Sequence, residues 1–248
     1  MKIAVYGDSF GDIKKYKRHY TDSKGLEEHV QHSWPARLEK KYDVENFSKT
    51  STGLEWSYNL AINNNVKYDR VIFLASHVDR LMVNSEWSND AKITHLNQAA
   101  TSDSKDELTN RILKTAQKYY VYFQNREFSH NRAALMYNDL RQRFGDKLLL
   151  LRIFADGLGY QGEYNCDNQL LLADIQVNEI NQRYGRVDSD QIAKKLLKPD
   201  RRSCHITNPH HEMMFNKLDH WIQTKEFSLT RQDVITINKQ DLAKYFND

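Results

Sequence analysis

The chain has 248 residues, 40% of them hydrophobic and 28% charged, with a net charge of +3. That is enough apolar residue for one sizeable core, and the charge is too balanced for a general electrostatic nucleic-acid binder. No apolar run is long enough to span a bilayer, and two cysteines, Cys166 and Cys204, exclude a disulfide framework and a four-cysteine zinc site. Nine glycines and three prolines argue against a turn-rich all-β chain.

Lys2–Tyr6 is a short apolar run that stops at Gly7-Asp8. It reads as a buried strand and has none of the layout of a secretory signal, so a cytoplasmic location is expected. Ser33-Trp34-Pro35 opens a helix, with serine as cap, proline in the first turn and Leu38 on the inner face. Asp43–Phe47 is the second strand. Leu54–Asn63 is a helix with Leu54, Tyr58, Ala61 and Ile62 on one side. Val71–Ala75 is apolar on both faces, as a parallel strand covered by helices must be. A polar loop is expected from Asn84 to Thr101. Asp106–Arg143 is expected to be helical in two pieces, broken near Ser129. Its aromatics Tyr119, Tyr120, Tyr122, Phe123 and Phe128 fit a sugar or acyl pocket, a helix packed on the core, or contact with a second subunit.

Lys147–Phe154 is a further buried strand, followed by a loop over 157–168 and a helix over Leu170–Tyr184. The last strong helix starts at Asn208-Pro209 and buries Met214, Leu218, Trp221 and Ile222. Strands alternating with helices predict one α/β domain over residues 1–227, with a parallel sheet between two helical layers. An insertion is expected at about 84–143, and a tail with a terminal helix at 228–248.

In an open parallel sheet, ligands bind beyond the carboxyl ends of the strands. Ser9 follows the first strand there. Gly7 permits a sharp turn that lifts the hydroxyl, and the amides of Ser9 and Phe10 then face one space, where they can hold an oxyanion. Taken as a bare tripeptide, Gly7-Asp8-Ser9 reads first as a plain strand-to-helix turn.

Gly7-Asp8-Ser9-Phe10 directly after an N-terminal strand resembles the first sequence block of the SGNH (GDSL) hydrolases. That family comprises serine esterases, lipases and carbohydrate deacetylases on a flavodoxin-like α/β/α sandwich. The resemblance implies Ser9 as nucleophile and, by position just ahead of the last helix, His205 as base. The family's acid lies three residues before that histidine, where this chain has Arg202. Asp200 is the nearest carboxylate, and a backbone carbonyl orienting His205 in a Ser-His dyad is the alternative. The second block retains Asn46 but has its glycine, Gly53, two places late. Gly53 is then an oxyanion donor, or simply a turn before the helix. In the third block His77 stands where the family has asparagine, and its ring N–H can serve as donor.

The resemblance covers about residues 1–80 and 147–225. It implies an acyl-enzyme mechanism on a small-molecule or carbohydrate ester, without metal or organic cofactor. Trp56 and Trp87 are the expected substrate-contacting aromatics. His210 and His211 compete with His205 for the base role. A different class of function is a catalytically silent module of the same fold that binds a glycan or a protein. A phosphate-binding turn over Gly7–Gly11 is a third.

Overall fold

The structure is a computed structural model that describes residues 1–8, 10–12, 27, 30–49, 52–76, 78, 114, 118, 126–152, 208–230 and 233. Its elements, in chain order, are β1 (Lys2–Tyr6), α1 (Trp34–Lys41), β2 (Asp43–Asn46), α2 (Leu54–Asn63), β3 (Arg70–Ala75), α3 (Arg126–Phe144), β4 (Leu148–Arg152) and α4 (Asn208–Thr224). The strands form a four-stranded sheet in the order β2-β1-β3-β4. Every pairing is parallel, with Ile3 opposite Val44 and Arg70, and Ile72 opposite Leu149.

Strand alternation divides the core in two. Ile3, Val5, Ile72, Leu74, Leu149 and Leu151 point to one face, where α1 supplies Trp34 and Leu38 and α4 supplies Met214, Leu218, Trp221 and Ile222. Ala4, Tyr6, Val71, Phe73, Ala75 and Leu150 point to the other. There α2 supplies Leu54 and Ala61, and α3 supplies Ala133, Tyr137 and Leu140. This is a three-layer α/β/α sandwich of flavodoxin-like character, as the alternation of elements predicts. Among the described residues no helix is long and apolar enough to cross a membrane.

Most element boundaries match the sequence expectation, and two features differ. Ser33 stands at the N-cap of α1, but its side chain makes no capping bond. Its hydroxyl donates instead to the Val30 carbonyl at 2.7 Å. α3 begins at Arg126 and runs unbroken through the buried Ser129 to Phe144, so no break falls at Ser129 itself, and residues 119–125 just ahead of it lie outside the described residues. A serine is a weak helix breaker, and burial against the sheet overrides it. The insertion expected at 84–143 therefore contains one of the sandwich's own layer helices. The loop from Asn84 to Thr101, the aromatic cluster at 119–123 and the helix expected over 170–184 lie outside the described residues.

Candidate functional site at the carboxyl edge of the sheet

The residues after β1 form a tight helical turn. The Asp8 carbonyl accepts hydrogen bonds from Gly11 N–H and Asp12 N–H, both at 3.0 Å. The Asp8 side chain, fully buried, accepts the Phe10 amide at 3.2 Å. Asp8 thus caps the turn with its carboxylate, as a short acidic side chain does at a helix start.

Two glycines are sterically required here. A Cβ on Gly7 would lie 2.6 Å from the Leu74 Cβ, and one on Gly11 would collide with the Ser48 hydroxyl and approach Leu74 Cδ1 at 3.0 Å. The backbone therefore lies flat against β3 and the loop after β2. Asn46 fastens that loop to the turn. Its Nδ2 donates to the Gly11 carbonyl at 3.0 Å, and its Oδ1 accepts the Ser48 amide at 3.0 Å. Lys49 N–H donates to the Gly7 carbonyl at 3.0 Å, extending the β1–β2 association past the strands.

Beyond Lys49, Thr52 Oγ1 donates to the Lys49 carbonyl at 2.6 Å, and Ser76 Oγ reaches the Thr52 carbonyl at 3.4 Å. The ends of β1, β2 and β3 are thereby joined by hydrogen bonds. Gly53 is buried and stands at the N-cap of α2 with φ −93° and ψ 172°, extended backbone open to any residue. Its carbonyl accepts the Ser57 amide at 3.5 Å, so its part in starting α2 is plain. Trp56 is half-buried one turn into α2, and the Lys49 ammonium sits 5.7 Å from its ring centroid.

The first turn of α4 comes to the same edge. Arg70, at the amino end of β3, donates to the carbonyl of Ile222 at 3.1 Å, so α4 runs antiparallel to the strands and Asn208 begins at the carboxyl side. His210 and His211 are buried there. His211 Nδ1 accepts the backbone N–H of Trp34 at 3.4 Å. This bond joins α1 to α4 and engages one ring nitrogen of His211.

The tyrosine nearest the turn is also structural. Burial pushes the Tyr6 hydroxyl up to about 12, although a hydrogen bond from Asn64 opposes this. Its ring stacks on Phe47 with centroids 5.0 Å apart. Tyr68 is pushed up as well, first by burial and then by its 2.5 Å hydrogen bond to Glu45.

Of the residues singled out from sequence, Gly53 and Trp56 fall within the described residues, at the N-cap and in the first turn of α2, as do His210 and His211 at the start of α4. Ser9, His77, Trp87, Asp200 and His205 lie outside them. Ser9 is bracketed by Asp8 and Phe10, both of which are described. One expectation is corrected: the Phe10 amide is turned back to the Asp8 carboxylate and does not point into a shared oxyanion space. Sequence reading missed Asp8 as a cap, the clamp made by Asn46, and Lys49. An asparagine at a strand's end, followed by serine two positions on, is the one local signal for the clamp. Among the described residues no group of three or more His, Cys, Asp or Glu is arranged to hold a metal ion. No family model, no curated protein and no solved structure matches this chain.

Proposed function

We propose that the chain is a serine esterase of the SGNH type, acting in the cytoplasm on a small-molecule or carbohydrate ester. The observation that supports it most is the glycine-locked turn at Gly7–Asp12. It lies at the carboxyl end of β1, between β2 and β3, the switch point at which sheets of this order bind ligands. A nucleophile on this turn gains a rigid support, because Leu74, Ser48 and Asn46 hold the turn from three sides.

In this reading Ser9 Oγ attacks the ester carbonyl while His205 removes its proton. The tetrahedral oxyanion is held by the Ser9 and Gly53 amides, with the His77 ring as third donor. His205 returns the proton to the leaving alcohol. Water, deprotonated by His205, then releases the acid from the acyl-enzyme and Ser9 regains its proton. Asp200 orients the far ring nitrogen of His205, and Trp87 overhangs the substrate.

The test is labelling with a fluorophosphonate probe and peptide mapping. Modification of Ser9, lost in Ser9→Ala together with turnover of a short-chain aryl ester, is expected. Unchanged turnover in a folded Ser9→Ala protein overturns the assignment. The second reading, a silent binding module of the same fold, is favoured by one observation: Asp8 occupies the Phe10 amide and leaves the turn one donor fewer. Absence of labelling in the folded protein decides for it.

A further inference from the structure

The peptide between Thr52 and Gly53 is held on its carbonyl side. The hydroxyl of Ser76, just past β3, donates to the Thr52 carbonyl at 3.4 Å, and both residues are buried. The Thr52 hydroxyl donates in turn to the Lys49 carbonyl at 2.6 Å, which closes the loop ahead of α2. The next carbonyl, that of Gly53, accepts the Ser57 amide at 3.5 Å. In a trans peptide the C=O and the following N–H point in opposite directions. With the Thr52 oxygen turned to Ser76, the Gly53 N–H therefore points away from Ser76 and the end of β3.

That N–H has no acceptor among the described residues, although Gly53 is buried. A buried backbone donor without a protein partner is rare, and a site that must hold developing negative charge is one place that needs it. Nothing intrinsic to residue 53 fixes this orientation. Its φ of −93° suits any residue, but glycine opens positive φ as well, so the peptide is free to turn over unless a bond holds it. Turned over, it would present the Thr52 carbonyl where the N–H now lies, and a carbonyl oxygen repels an oxyanion.

We propose that Ser76 is a positioning residue, whose hydroxyl keeps the Gly53 amide turned away from β3 and free to donate to an oxyanion. This deepens the esterase reading and rests on it. Ser76 meets neither substrate nor reacting atoms in this role; it acts through one peptide plane.

The experiment compares 4-nitrophenyl acetate with its thiono analogue, in which sulfur, a weak acceptor, replaces the carbonyl oxygen. An oxyanion donor therefore favours the oxygen ester. The kcat/KM ratio of oxygen to thiono ester should fall about 10-fold in Ser76→Ala, with the loss in kcat of the oxygen ester, and be kept in Ser76→Thr. A variant that is only less stable loses both rates alike and keeps the ratio. Ser76→Cys puts a weaker donor in the same space, should shift the ratio in the same direction, and serves if Ser76→Ala does not fold. An unchanged ratio in the folded variant overturns the proposal. If the wild type cleaves neither ester, the esterase reading fails by itself, and the crystal structure of Ser76→Ala decides this inference. A Thr52–Gly53 peptide that has turned over supports it, and one that keeps its orientation overturns it.

Discussion

The Tyr42 hydroxyl donates a 2.7 Å hydrogen bond to Asp219 Oδ1, joining residues 177 positions apart. Lys41 Nζ lies 2.7 Å from the same oxygen. Together they tie the end of α1 to α4. Burial pushes the Asp219 carboxyl up, but the hydrogen bonds from Lys41 and Tyr42 outweigh it and hold the group below the usual carboxylate value. A carboxyl depressed in the folded state adds stability above its unfolded pKa and loses it as pH falls through the folded one. Stability should therefore fall with acid from about pH 4 downward. Asp219→Asn should flatten that limb in denaturant titrations and cost about 1–3 kcal/mol at neutral pH.

Gly7→Ala is expected to destabilise the protein by about 1–3 kcal/mol, since the new methyl meets the Leu74 side chain and the interior must shift. Chemical denaturation measures the loss. The displaced turn should also slow fluorophosphonate labelling of Ser9. Pairing Gly7→Ala with Leu74→Ala should recover part of the labelling rate, because the colliding atoms are then gone.

His211→Ala removes the acceptor of the buried Trp34 amide. Leaving that donor unsatisfied costs about 1–3 kcal/mol. The expected signature is a lower midpoint in urea with ester turnover retained at temperatures where the variant is folded. Loss of turnover in the folded variant would instead assign the base role to His211.

Asp200→Asn is expected to lower kcat strongly, by up to about 10⁴-fold, with little change in KM, if Asp200 sets the tautomer of His205. A variant that keeps its rate points to a dyad oriented by backbone, or to Asp79 as the carboxylate. Steady-state kinetics on a single aryl ester separates the two outcomes.

The strands were legible because both-face burial writes continuous apolar runs, as in Val71–Ala75 and the four consecutive leucines of β4. The start of α4 was legible from Asn208-Pro209, and its buried stripe from helical spacing. Continuity through Ser129 itself was not, because serine's propensity is nearly neutral and its burial is set by packing that spacing does not show. Within the site, Gly7 was readable as a turn glycine. The reason Gly11 must also be glycine lies in Ser48 and Leu74, which are distant in sequence. The engagement of the Phe10 amide by Asp8 is equally invisible to spacing, since the same tetrapeptide permits the amide to point either way.

The two faces of the sheet close at different times during synthesis. Every second-face core residue among those described has been made once Leu150 has been added. The first face waits for Met214, Leu218, Trp221 and Ile222 of α4. The roughly 70 residues between these points take about 4–14 s at ribosomal speeds of about 5–20 residues per second. For that interval Ile3, Val5, Trp34, Leu38, Ile72 and Leu74 have no α4 to cover them. Chains arrested before α4 should therefore be captured by holdase chaperones or aggregate, while chains arrested after Ile222 should escape both.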